Sequence, residues 1–307
     1  MKKQFSKFSE NIRLKESQKT DAKTKYNGVC KTLHKSYYDS VYDGKTKLLF
    51  GSYRTKTNTR PLSENQDVDV IFKIPEETYN KFKNYNGNGP SALLQEIKNI
   101  LAKTYTTTER IKGWGKVVLV KFSNNKHNIE VLPAFELEDK TFKIPNSENG
   151  GSWDNFDPRD QLKSFKTSNN TTNYLTADLT RMIKTWVKNT SSLNYKSYNL
   201  LNDIMNFLKS NYQNGADYSD YHLVIKDCFR HLKNNCDSSL DGYLKTAFDR
   251  AEKAVDYIDN NKPSEASIEY RKIFGSEYPI VTVNPISESQ TRVFATPSLP
   301  YASFKTK

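Results

Sequence analysis

The chain is poor in cysteine and has no long apolar run and no internal repeat. Each lack removes a class of protein. The three cysteines, Cys30, Cys228 and Cys236, cannot all pair and fall at no metal-ligand spacing. A disulfide-built scaffold and a cysteine-ligated metal fold are therefore not expected, and free thiols suit a reducing cytoplasm. No stretch of about 18 apolar residues occurs, so no membrane-spanning helix is expected. The first residues are polar and lack the apolar centre of a secretory leader. Nor is there an Arg/Ser or Arg/Gly tail to mark a dedicated nucleic-acid arm.

What is present is enough to build a core. Apolar residues make up 36% of the 307, and 19 Tyr, 16 Phe and 3 Trp supply bulk, so wholesale disorder is not expected. The length fits one large domain or two ordinary ones. The formal charge is +12 and unevenly placed: residues 1–60 hold 15 Lys or Arg against 5 Asp or Glu. Such an excess is either a solvated basic face or a field that draws in polyanions, nucleoside triphosphates or nucleic acid.

The apolar spacing sketches the organisation. Phe5, Phe8, Ile12, Leu14, Val29, Leu33 and Tyr37 suit one or two amphipathic helices. Residues 53–66 are polar and contain Pro61, as expected of a loop or a short broken helix. Ser91 precedes a helical pattern of Leu93, Leu94, Ile97, Ile100 and Leu101, with Glu96 near the first turns. Val117 to Phe122 reads as a strand. Ile129 to Pro133 reads as another, stopped or pushed to an edge by the proline. Asn146 to Pro158 reads as an Asn- and Gly-rich loop. From Tyr174 the period is helical: Leu175, Leu179, Met182, Ile183 and Trp186, then Leu200 to Leu208, Leu223 to Leu232 and Leu244 to Val255. The expectation is a mixed α+β part followed by a helical part, with a cleft between them. Residues 283–307 are rich in Ser, Thr and Pro and read as an irregular tail.

The chemistry sits at Gly51-Ser52 and at Asp67-Val68-Asp69-Val70. A strand has a side-chain period of two, so Asp67 and Asp69 share a face, their Cα atoms about 7 Å apart. Val68 and Val70 point the other way, into a core. Two carboxylates on one face of an apolar strand repel each other and lose solvation, and two divalent cations would offset that cost. Glu130, alone among apolar neighbours, is the candidate third carboxylate. A Gly-Ser turn can offer N–H groups and a hydroxyl to a phosphate. Together these parts suggest nucleotidyl transfer.

Gly51-Ser52, Asp67-Val68-Asp69-Val70 and Ile129-Glu130-Val131-Leu132-Pro133 resemble the three catalytic blocks of the DNA polymerase β-like nucleotidyltransferases. The finer resemblance is to the bacterial cGAS/DncV-like branch (CD-NTases), which makes cyclic oligonucleotide signals in anti-phage (CBASS) defence. Asp157-Pro158, the segment Leu179 to Trp186 with Lys184, and Phe274-Gly275 with Pro279 extend it, so that it covers roughly residues 10–282. The resemblance implies a bilobal polymerase β-like fold. Residues 1–160 would be the catalytic core with an N-terminal helix, residues 161–282 a helical domain closing the cleft, and residues 283–307 a tail. It implies that Asp67, Asp69 and Glu130 hold two Mg²⁺ (or Mn²⁺) ions, and that Ser52 meets the β/γ-phosphates beside Gly51. It gives Lys184 the triphosphate, Ser197 a phosphate, Tyr198 a base to stack on, and Arg54 and Lys56 acceptor or phosphate contacts. The family often has Asp at the third acid, and Glu130 is one methylene longer.

The implied reaction is template-free joining of ATP and other nucleoside triphosphates into a cyclic di- or trinucleotide that contains adenine. No membrane and no nucleic-acid template are expected, and contact with RNA is left open. Some relatives need a protein partner docked on the C-terminal region. Rival readings are a tRNA-extending or templated polymerase, a nucleotidyltransferase that modifies tRNA or protein, and a non-catalytic nucleotide- or RNA-binding protein.

Overall fold

The computed structural model describes residues 1–63, 66–122 and 127–282; the segment 283–307, read above as a tail, lies outside them. Seven strands form the sheet: β1 (Lys47–Leu49), β2 (Asp67–Lys73), β3 (Arg110–Trp114), β4 (Val117–Lys121), β5 (Asn128–Glu136), β6 (Phe142–Asn146) and β7 (Ser152–Phe156). The main order is β1-β2-β5-β4-β3, and β6 and β7 continue from the far end of β5. Only the β2–β5 pair is parallel among these.

The pleat sorts the side chains of β2 and β5. Val68, Val70, Phe72, Ile129 and Val131 are buried against Val29, Leu33, Leu93 and Ile97, which belong to α2 (Glu16–Tyr37) and α5 (Gly89–Thr104). Asp67, Asp69 and Glu130 are left on the opposite face. Within α5 the N-cap is Asn88, whose side chain accepts from the Ser91 N–H at 2.9 Å. Ser91, expected just ahead of the helix, sits in its first turn, because Pro90 is tolerated there without an N–H.

The helical half is built on α7 (Leu175–Asn189) with α8 (Ser197–Asn211), α9 (Tyr221–Asn235), α10 (Asp241–Asp259) and α11 (Pro263–Phe274). Leu179, Met182, Ile183 and Trp186 of α7 are buried in one cluster with Ile204, Phe229, Ala251 and Tyr270. Packing does not follow chain order here. Phe5, Phe8 and Ile12 of α1 (Lys2–Ile12) join this helical cluster, while α2 stays on the sheet. The chain returns to the helical half through α6 (Pro158–Thr171), which starts with Asp157 accepting from the Arg159 N–H at 2.8 Å, and Pro158 follows the cap.

Two further sequence expectations are corrected. Pro133 does not end its strand or mark an edge: β5 runs on to Glu136 between β2 and β4. The reason is register. Val131 is the last β5 residue paired to β4 and Phe135 the first paired to β6, so Pro133 falls in the gap between two partners and its missing N–H breaks no ladder there. The Asn- and Gly-rich stretch from Asn146 to Pro158 is also more than a loop, since it contains β7, paired to β6 along its whole length. Its turn residues Asn149, Gly150 and Gly151 all have positive φ, which masked the short strand behind them.

Phe8 is fully buried, with its ring 4.7 Å from Phe274 and 5.3 Å from Tyr278. Phe8→Ala is expected to destabilise the protein by about 3–5 kcal/mol, the usual cost of emptying an aromatic core site. Denaturant unfolding measures this, and a loss below about 1 kcal/mol would mean that α1 is not docked.

Candidate active site

Parallel pairing of β2 with β5 sets Asp69 opposite Glu130 and Asp67 opposite Asn128. Paired residues on neighbouring strands lie about 4.8 Å apart and share a face, so three carboxylates gather on one patch of sheet. The chain reaches the patch from the other side through α3 (Gly51–Thr55), after a Phe50 N–H to Asp69 C=O bond of 3.3 Å. Gly51 has φ +59, and a Cβ there would overlap the Asp69 carboxylate. Glycine is needed twice over, for the backbone angle and for the close approach.

Burial and mutual repulsion shape the charges. Desolvation raises the Asp69 pKa to about 6, with Asp67 adding repulsion and Lys184 opposing it. Desolvation and then the charges of Asp67 and Asp69 push Glu130 up to about 7. Asp67 is raised by burial, partly relieved by a hydrogen bond from Asn128. Its Oδ1 is buried without a hydrogen-bond partner. From across the cleft, Lys184 is driven down to about 8 by desolvation, against the attraction of Asp69. Among the described residues no three Asp, Glu, His or Cys side chains form a ready-made metal cage. The donor set nonetheless fits a divalent cation: hard oxygens, one of them orphaned, on acids whose ionisation is suppressed by burial and, for Asp69 and Glu130, by mutual repulsion.

The patch floors a cleft of about 720 Å³ walled by both halves, within the range of small-molecule sites. Gly51, Ser52, Asp67, Asp69 and Glu130 line it from the sheet side, and Lys184, Ser197 and Tyr198 from α7 and α8. Lys184 Nζ is 3.4 Å from Thr57 Oγ1. Tyr198 stands 62% exposed, its ring free to meet a flat ligand. Eight of the ten residues singled out from sequence thus meet in one cavity. Arg54 and Lys56 do not: both are exposed, and neither is among the residues lining the cleft. Lys56 contributes its backbone instead, its C=O accepting from Arg181 Nη1 at 2.6 Å.

Sequence reasoning missed several lining residues. Lys188 lies one turn beyond Lys184 and donates to Gln66 Oε1 at 2.5 Å. The i,i+4 spacing of the two lysines was the available signal. Thr57, Asn155, Gln161 and Asn202 also line the cleft, and nothing in their local pattern separates them from ordinary surface residues. Behind Lys184, Asp178 is buried and pairs with Arg181 and, at 2.5 Å, with Arg13, and it accepts from Tyr218 Oη at 2.9 Å. This knot ties α1 to α7 beneath the cleft.

Strand order, the parallel acid-bearing pair and the opposing helical half define the class: the fold is that of the polymerase β-like nucleotidyltransferases. Residues 1–169, more than half of the chain, match the Second Messenger Oligonucleotide or Dinucleotide Synthetase domain. The protein belongs to that family. A probable cyclic nucleotide synthase of Bacillus cereus (strain VD146) is 22% identical over 79% of this chain and 85% of its own. Among solved structures, apo DncV of Vibrio cholerae superposes with a TM-score of 0.67 at 15% identity, covering 88% of this chain and 92% of that one. CdnC of E. coli MS115-1, solved as a complex with HORMA-deltaN, gives 0.62 at 17% identity, covering 91% and 98%. No helix among the described residues is long and apolar enough to cross a membrane.

The raised carboxyl of Glu130 carries a pH signature. Between its unfolded value near 4.5 and about 7 the native state keeps a proton that the unfolded chain has lost. Stability therefore falls as the pH rises through that window. Glu130→Gln removes the ionisation. In metal-free buffer at pH 8 the variant should be more stable than the parent by on the order of 1–2 kcal/mol, discounted for partial solvation. Near pH 4 the two should match. Denaturant titrations at both pH values check this, and an equal gain at each would point to packing rather than charge.

Proposed function

We propose that the protein joins ATP and other nucleoside triphosphates, without a template, into a cyclic di- or trinucleotide second messenger and releases pyrophosphate. The observation that carries the reading is the in-register pairing of Asp69 with Glu130 beside the orphaned Oδ1 of Asp67. Three under-neutralised carboxylates facing a cleft that also presents lysines and a Gly-Ser segment are suited to phosphoryl chemistry. The relatives' names point the same way.

Asp67, Asp69 and Glu130 would hold two divalent ions, Mg²⁺ or Mn²⁺. Bound there, the ions would lower the pKa of an attacking ribose hydroxyl and neutralise charge growing on the α-phosphate. The chain's own groups do the rest. Lys184 and Lys188 meet the β- and γ-phosphates as they leave as pyrophosphate, and Ser52 adds a hydroxyl. Ser197 reaches a phosphate from the start of α8, and the exposed ring of Tyr198 stacks on a base. Ring closure requires donor and acceptor nucleotides to be held together, and a cleft shared by two halves has room for both. Residues 1–160 and 161–282 are read as those halves, with α1 of the first packed onto the second. The reading extends to anti-phage signalling in the cytoplasm and to a regulatory protein docked on the C-terminal region, for which the CdnC complex with HORMA-deltaN is the nearest support.

The test is incubation with all four nucleoside triphosphates and Mg²⁺ or Mn²⁺. Chromatography and nuclease digestion then identify product and linkage. Asp67→Asn and Asp69→Asn should each remain folded and lose pyrophosphate release from ATP plus GTP, by at least about a hundredfold. Normal turnover by either would sink the assignment of these acids. Labelled tRNA extended in the same assay would favour the tRNA-modifying rival instead.

A further inference from the structure

The acidic face of the sheet does not end at Glu130. Glu130 pairs with Leu119 on β4, and Leu119 pairs with Lys112 on β3. Arg110 stands opposite Lys121 and Trp114 opposite Val117 on the same two strands. Paired residues share a face, so Arg110, Lys112 and Trp114 look out on the side that carries Asp67, Asp69 and Glu130. They are three strands from Asp69, about 14 Å at the usual strand spacing.

Among the described residues this outer face is left exposed. All three side chains are exposed, Trp114 at 55%. Their neighbours Ile111 and Gly113 point the other way, onto α5, where a Cβ on Gly113 would come within 3.2 Å of the Leu94 carbonyl. The strand is therefore seated by its odd-numbered residues and displays its even-numbered ones. Successive displayed residues stand about 7 Å apart, so two cations and a ring follow in line. The Lys112 ammonium lies 5.1 Å from the centre of the Trp114 ring. Among the described residues, neither Arg110 nor Lys112 has a carboxylate within ion-pair distance. The acids nearest in the pattern are already engaged, Glu109 with Lys121 and Asp154 with Lys116, each at 2.8 Å.

A large exposed indole beside two cations that have no carboxylate in reach among the described residues complements a flexible chain of alternating phosphates and flat bases. We infer that the β3–β4 face beside the cleft binds single-stranded nucleic acid, with Arg110 and Lys112 on phosphates and Trp114 under a base. The net charge of +12 adds long-range attraction for such a polyanion. An anionic membrane fits less well, since a lone ring on a flat strand offers little apolar surface to insert. The inference stands apart from the catalytic reading, because binding can be read without nucleotide turnover.

Fluorescence anisotropy of the full chain with a labelled oligouridylate of about twelve nucleotides tests it. The parent should bind with an affinity that falls with salt. Trp114→Ala should weaken binding roughly tenfold to a hundredfold, the worth of one stacked base. Arg110→Gln with Lys112→Gln should flatten the salt slope by about 1.4, because two phosphates are no longer neutralised. A control pair on the helical half, Lys209→Gln with Lys245→Gln, removes the same charge and should change little. An equal loss in that control, no binding by the parent at low salt, or binding to anionic lipid vesicles in place of the oligonucleotide would overturn the inference. Thermal unfolding of each variant guards against misfolding. Should Trp114→Ala fail to fold, the charge pair decides alone.

Discussion

The parallel pairing of β2 with β5 is the constraint on which the site depends. One register fixes three facts at once. It turns Val68, Val70, Ile129 and Val131 into the core beneath α2 and α5, it leaves Asp67 and Asp69 on the cleft side, and it sets Glu130 level with Asp69. A slip of one residue would exchange the faces, burying the acids and exposing the valines. The same hydrophobic pattern that stabilises the sheet therefore aims the acids, and the electrostatic cost of gathering them is borne by the packing on the reverse face. Gly51 completes the arrangement, since no side chain fits between α3 and Asp69.

Counter-charge comes from the other half, and α7 delivers it. Its apolar stripe is fixed in the helical core, so the stripe's complement has one direction left, toward the acids. Lys184 meets Asp69 from there, and each moves the other's pKa toward the charged form without cancelling the burial that opposes it. Arg181, one turn earlier, is used differently. It is locked to Asp178 and to the Lys56 carbonyl, which holds the segment following α3 against α7. The buried ion knot is thus a positioning element, and its neighbours Lys184 and Lys188 line the cleft. A cluster of acids so short of positive charge is electrostatically frustrated, and whatever neutralises it also stabilises the native state by mass action.

The sequence made legible the features that carry a period. Alternation in β2, the three- and four-residue spacing of α7 to α10, and the acids themselves were all readable, and the resemblance in blocks joined them. What escaped had no period to read. Pro133 argued for a strand end because a proline removes an N–H, but only the three-dimensional register shows that no partner waits for it. The short β7 was hidden behind a glycine turn. Arg54 and Lys56 follow the Gly-Ser segment in the chain, yet the short helix ending there turns both outward, and it is a backbone carbonyl of this segment that matters. Gln161 and Asn202 line the cleft, and polar residues facing a cleft look like polar residues facing bulk water until the opposite wall is known.

One face of one sheet carries two opposite charges, and the pleat explains why both were available. The larger core claims one face of every strand from β2 to β3. On the other face Ile71, Leu132 and Ala134 pack into a smaller cluster with Phe142 and Ile144, and only positions outside that cluster carry charge. Over β2 and β5 that face lies across the cleft from the helical half, where burial raises the pKa of Asp69 and Glu130. Over β3 it emerges into water, where Arg110 and Lys112 keep their hydration and their long reach. A polyanion approaching the molecule would meet the outer cations before it met the acids, and the acids would repel any segment of it not accompanied by metal. The boundary between the two regions falls at Leu119, the partly exposed apolar residue between Glu130 and Lys112. Charge on this sheet is therefore graded by depth of cover, with the acids in the covered part and the cations at the open edge.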